Sequence, residues 1–131
     1  MKHEQPHRPC PCDSGFPFAA CCAPFLAGLG TPPTALATMR SRYSANALGH
    51  LEHLRDTWHP RTRPQRIAPD PDRRWIGLAI KGTTAGEAGD TEGTVEFVAR
   101  FKIGGRGHRM HEISRFVFEN GRWLYVDGEV S

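Results

Sequence analysis

From Thr94 to Ile103 the chain alternates between apolar and polar positions. Val95, Phe97, Ala99, Phe101 and Ile103 fall on one side; Thr94, Glu96, Val98, Arg100 and Lys102 fall on the other. A period of two marks a half-buried strand, because successive side chains leave a strand on opposite faces. Trp75–Lys81, His108–Glu119 and Arg122–Asp127 read as three further strands. Asn120-Gly121 carries the strongest hairpin signal, since both residues tolerate positive φ. Gly104–Gly107 reads as a turn, and Gly82–Gly93 as a flexible Gly/Thr-rich hairpin connection. Hairpin-sized connections make the sheet antiparallel.

Upstream the period lengthens. In the segment from Thr34 to Trp58, Leu36, Met39, Tyr43 and Ala47 recur at spacings of three and four, as a helix face requires. Thr31 or Thr34 is the expected cap. Asn46 is the expected boundary, with Leu48, Leu51 and Leu54 forming the face of a second short helix that Pro60 ends. Helices followed by an antiparallel meander define an α+β architecture, the helices covering the apolar face of the sheet. Pro24, Gly28, Gly30, Pro32 and Pro33 separate this body from the N-terminus. The division is a loose polar arm over 1–9, a cysteine segment over 10–25 and the α+β body over 31–131.

Composition narrows the class. A chain of 131 residues suits one domain with a core of its own. Mean hydropathy is −0.51, no apolar run approaches a membrane span, and the first residues lack the apolar core of a secretory signal. A cytoplasmic protein without membrane contact is expected. The net charge of +3 is mild. Its densest basic stretch, residues 59–74, places Arg61, Arg63, Arg66, Arg73 and Arg74 among four prolines and two aspartates. It reads first as a solvated loop and second as a contact for nucleic acid or the ribosome.

All four cysteines lie in CPCDSGFPFAACC, residues 10–22. Two disulfides within so short a segment would be strained, and a reducing compartment favours metal over disulfide. Thiolates suit zinc, a borderline-soft ion that accepts four sulphur ligands in a tetrahedron. One structural zinc ion on Cys10, Cys12, Cys21 and Cys22 is the leading expectation, with His3 or His7 able to replace one thiol. Redox-active thiols or another metal remain open. Phe16, Phe18 and Phe25 supply an apolar collar.

The segment resembles the SEC-C motif, the cysteine module of the preprotein translocase ATPase SecA: Cys-Pro-Cys-Gly-Ser-Gly, a spacer, then Cys-Cys or Cys-His. That resemblance implies zinc and a protein or ribosome partner. Here Asp13 stands at the glycine position, and the spacer FPFAA lacks the translocase lysines. MRSRYSA (39–45), TWHP (57–60), W-x-GL (75–78), GTVEFVARFK (93–102), HEISRF (111–116) and GRWLYVDG (121–128) together resemble the bacterial YchJ-like family. This implies a nuclear-transport-factor-2-like (cystatin-like) body: helices packed into a strongly curved sheet of about four strands. The family name brings no reaction with it.

A curved sheet suggests a cavity, for which Arg40, Arg42, Tyr43, Trp58, His59, His111, Glu112, Arg115 and Asp127 are the candidate lining residues. His111 and Glu112 cannot act together from one strand, since neighbours face opposite ways. His59 with Asp127 is the remaining acid–base pair. No nucleophile arrangement, GxGxxG or Walker loop is present. The sequence points to a zinc-binding interaction protein rather than an enzyme, with a small-ligand binder and a weak nucleic-acid binder behind it.

Overall fold

A computed structural model of the chain describes residues 8–131. The expected arm over residues 1–9 falls largely outside the described residues, as do His3 and His7. A 3-10 turn at Phe18–Ala20 and helix α1 (Ala23–Leu26) follow the first cysteines. Then come α2 (Ala35–Leu48), α3 (Leu51–Asp56) and strands β1 (Arg73–Ala85), β2 (Glu92–Ile103), β3 (Arg106–Glu119) and β4 (Arg122–Val130). The strands form one antiparallel sheet in the order β1-β2-β3-β4.

Thr34 caps α2: its hydroxyl accepts from the Ala37 N–H at 3.0 Å. The helix ends at Gly49, which sits at φ 81° in the left-handed region. The boundary thus lies beyond Asn46, whose side-chain amide donates back to the Arg42 carbonyl inside the helix. Of the leucines expected to face the core in α3, only Leu54 is buried; Leu48 and Leu51 are each 42% exposed. The Gly82–Gly93 connection is shorter than its composition suggests. Gly82, Thr83, Thr84 and Ala85 pair with Glu96, Val95, Thr94 and Gly93, so the turn spans only residues 86–91.

The expected strong curvature is not present; the sheet is open and neither strongly curved nor closed. Two features account for this. Curvature is built by bulges, yet the β2–β3 ladder runs from Glu92↔Val117 to Ile103↔Arg106 without a register shift. The irregularities lie in the outer ladders, at Trp75/Gly77, Ile80/Gly82 and Arg115/Phe116. Both edges are also met by other segments, so neither has to reach the other. On β4 the Tyr125 N–H donates to Thr57 O at 2.7 Å, and the His59 N–H donates to Tyr125 O at 2.8 Å. On β1 the Leu78 N–H donates to the Asp13 carboxylate at 3.0 Å.

One core joins the parts. Ala35, Met39 and Tyr43 of α2 pack with Leu78, Val95, Phe97, Ala99, Phe116 and Trp123 of the sheet, and Cys10, Cys12 and Cys22 belong to the same cluster. Burial of this continuous apolar surface is the main driving force for the fold. Trp123 is 1% exposed, and its indole N–H donates to Pro33 O at 3.2 Å, tying the last strand to the entry of α2.

Candidate metal centre and cavity

The local chain explains how four thiols meet. Cys10 and Cys12 flank Pro11 on a tight turn, where the Asp13 N–H donates to Cys10 O at 3.1 Å. Asp13 adopts φ 60° and Gly15 φ 92°, both in the left-handed region that reverses the chain. The 3-10 turn then delivers Cys21 and Cys22 at the start of α1. There, adjacent side chains can converge as they cannot on a strand.

The four Sγ atoms lie within 4.8 Å of one another. Cys12–Cys21 is 3.6 Å and Cys21–Cys22 is 4.0 Å. Four sulphurs at about 2.3 Å from a tetrahedral centre would stand about 3.8 Å apart. A disulfide would need about 2.05 Å, and all four cysteines are free. The donor set is therefore a largely buried four-thiol cluster able to coordinate a metal ion, and its spacing fits a tetrahedral thiolate site.

The protons are unevenly shared. The thiols of Cys12 and then Cys22 hydrogen-bond to Cys10 and hold it far below the ordinary thiol range. Hydrogen bonds to Cys10 and then Cys12 push Cys22 far up. Burial pushes Cys21 up to about 11. Four adjacent thiolates repel one another; a dication supplies the charge that allows all of them to ionise.

The cluster is bolted to the body by polar contacts. Arg40 donates to Cys12 O at 2.8 Å and reaches Cys12 Sγ at 3.8 Å. Cys10 Sγ lies 3.5 Å from Ser44 Oγ of α2, and Ser14 Oγ lies 3.2 Å from Cys21 Sγ. A guanidinium beside a thiolate site offsets part of its negative charge.

On the helix-covered side of the sheet, a cavity of about 340 Å³ opens between α2, the 64–69 segment and the strands. Of the expected lining residues, Arg42, Tyr43, Trp58 and Glu112 are brought together here. The others go elsewhere. Arg40 serves the cysteine cluster. His59 accepts from the Arg61 N–H at Nδ1, so its Nε2 carries the proton and donates to Glu119 at 3.0 Å. That removes His59 from any pairing with Asp127, which instead forms an exposed ion pair with Arg115 at 2.6 Å. His111 bridges Glu96 at 2.7 Å and Ser131 at 2.6 Å. Arg100 is exposed.

The five loop arginines are dispersed. Arg61 borders the Arg115–Asp127 pair, Arg63 donates to Arg55 O, and Arg66 edges the cavity. Arg74 is exposed, while Arg73 lies over the Phe101 ring at 4.2 Å.

Arg42 dominates the cavity. It is 7% exposed. Its guanidinium lies 4.8 Å from the Trp58 ring and 4.6 Å from the Tyr125 ring. Nη1 donates to Leu54 O at 2.9 Å and Thr57 Oγ1 at 2.8 Å. Burial pushes its pKa down to about 10, outweighing the opposing pull of Tyr125 and Glu112. Glu112 is engaged by hydroxyls: Ser114 donates to its Oε2 at 2.6 Å and Tyr125 at 3.2 Å. Burial, reinforced by Glu112, pushes Tyr125 up to about 12.

Tyr125 and Ser114 were not among the expected lining residues. A signal for Ser114 was present: period two puts Met110, Glu112, Ser114 and Phe116 on one face, and a carboxylate in an apolar row needs nearby donors.

Helices on one face of an open four-stranded meander, with a four-thiol knuckle locked to them, define a class of small cysteine-cluster α+β proteins. The chain belongs to the YchJ-like family, also called UPF0225: the family profile described as "YchJ, middle NTF2-like domain" matches residues 34–128. It is 52% identical to a UPF0225 protein of Cupriavidus metallidurans over 128 residues, covering 93% of this chain and 89% of that one. It is also 52% identical to a UPF0225 protein of Chromobacterium violaceum, covering 98% and 97%. The solution structure of a SEC-C motif-containing protein from Rhodopseudomonas palustris is similar at a TM-score of 0.81 and 34% identity, covering 92% of this chain and 96% of that one. The crystal structure of a SEC-C motif-containing protein from Psychrobacter arcticus matches at 0.78 and 26%, covering 96% and 84%.

Proposed function

We propose that this protein is a zinc-binding interaction protein. One structural zinc ion is held by Cys10, Cys12, Cys21 and Cys22, and the knuckle over 10–25 is displayed on the body over 31–131. The observation that carries the reading is the convergence of four thiols within 4.8 Å at near-tetrahedral spacing. The burial of Cys10, Cys12 and Cys22 favours a closed structural site over a catalytic one, which would keep a position open. Phe16, 63% exposed on the knuckle surface, gives a partner protein an apolar foothold.

Native mass spectrometry of protein purified without added metal tests the ion. The expected result is one zinc per chain, replaceable by cobalt with the thiolate-to-metal absorption of a tetrahedral four-sulphur site. Folded protein that carries no metal and has four freely alkylated thiols would refute the proposal.

A second reading rests on a separate observation, the buried Arg42 at the cavity. It makes the body a binder of small molecules. Among the described residues no helix is long and apolar enough to cross a membrane, so neither reading relies on a helical span.

A further inference from the structure

Buried charges are normally paired, because an isolated ion in a low-dielectric interior is costly. Arg42 departs from that rule. It is more than nine-tenths buried, yet makes no ion pair among the described residues. Its hydrogen bonds go to a carbonyl and a hydroxyl, both through Nη1. Glu112 shares the cavity, but hydroxyl donors hold it and it forms no ion pair with Arg42.

The same wall holds two donors that are buried and unmet. Trp58 Nε1 and Arg73 Nε are buried without a hydrogen-bond partner, and both side chains line this cavity. A buried polar group left without a partner loses its hydration and gains nothing in return, so such groups call for an explanation. These three groups are all N–H donors, and two of the three side chains are cationic. The rest of the wall is largely apolar or aromatic, including Met39, Trp75, Phe97 and Met110. A volume of about 340 Å³ suits a metabolite-sized molecule.

Resting on the second reading above, we infer that the cavity binds a small amphipathic carboxylate, its carboxylate engaging the Arg42 guanidinium and its apolar body lying among the aromatic side chains. A planar two-oxygen acceptor matches the guanidinium fork, and aromatic walls suit an organic acid better than a strongly hydrated inorganic anion.

The test uses the full-length, metal-replete protein and follows the indole N–H resonances of Trp58 and Trp75. The probes are 3-phenylpropanoate, its neutral counterpart 3-phenylpropanol, and inorganic phosphate. The acid is expected to shift both resonances and to bind about tenfold more tightly than the alcohol, about 1.4 kcal/mol. Phosphate is expected to bind more weakly than the acid. Arg42→Met should abolish the preference for acid over alcohol, and Arg73→Gln should reduce it severalfold. Because Arg42 also braces α3, the comparison of acid and alcohol on the unaltered protein stands even if the Arg42 variant does not fold. Equal binding of acid and alcohol would overturn the carboxylate inference while leaving a ligand cavity in place. Phosphate binding more tightly than the acid would also overturn it. No shift with any probe at millimolar concentration would overturn both the inference and the ligand-binding reading.

Discussion

Asp13 does two things at once. It holds φ 60°, and its carboxylate accepts the Leu78 N–H at 3.0 Å. Glycine keeps the backbone and loses the bond; alanine loses the bond and strains the backbone as well. Asp13→Gly should lower unfolding free energy by about 1 kcal/mol, and Asp13→Ala by about 2 kcal/mol or more. Denaturant titration would show that order, and equal losses would contradict it. His53 supplies a pH signature. Ser41 spends its proton on Thr38 O, so His53 Nε2 must be the donor to Ser41 Oγ at 2.8 Å. Burial, then the charge of Arg42, pushes the His53 pKa down from 6.5 to about 4. Between those values the unfolded chain binds more protons than the folded one. The contribution of His53 is therefore fully present above pH 6.5 and is lost as the pH falls towards 4. His53→Gln should flatten this part of the stability–pH curve by about 1 kcal/mol, allowing for the partial exposure of the ring. The cysteine cluster was legible because its chemistry is local. The role of Asp13 was not, because its partner lies 65 positions away.

Among the elements, the period of two marks the strands more completely than the longer period marks the helices. The α2 face was blurred because the helix is buried on several sides: Thr38, Ser41, Ser44 and Ala45 are all fully enclosed. Ser41 and Thr38 reach that state by donating to helix carbonyls at 2.8 and 2.9 Å, which a hydropathy pattern does not register. Gly82–Ala85 resembles a connection in sequence for a similar reason. Glycine and threonine carry little apolar signal, yet these residues extend the β1–β2 ladder. The turn that follows is tightly fitted. A Cβ on Gly93 would collide with the Gly86 backbone, and one on Gly86 would meet Ala35 Cβ at 2.8 Å. Gly86 O also accepts the Ala35 N–H at 3.0 Å. Gly93→Ala should therefore loosen the start of α2 along with the hairpin, lowering stability by about 1–3 kcal/mol. Amide exchange would register it at Ala35 and at Gly86 together; a loss confined to residues 86–91 would argue against this coupling.

At the scale of the whole molecule, the order of helices and meander was visible in the sequence, and the resemblance named the family. The strong curvature it implied is absent, because an uninterrupted central ladder and separately capped edges give the sheet no need to curl. The membership of the cavity was visible only in part, since it depends on which of several strand and loop residues converge. The cysteines lie in the same core as α2 and the strands. Chelation should therefore lower the melting temperature of the entire chain in one transition, not melt residues 10–22 alone. Calorimetry with and without a chelator would show it, and an unchanged main transition would count against the shared core. The contact between Asp13 and Leu78 has a further consequence. An outer strand with free N–H groups is a template for another chain, and the knuckle sits over that strand. Metal starvation would then do more than bare reactive sulphur: it would uncover a sticky margin. If the ion is zinc as proposed, solubility in the cell would come to track zinc supply, with turbidity in depleted protein rising in the same transition in which the helices are lost.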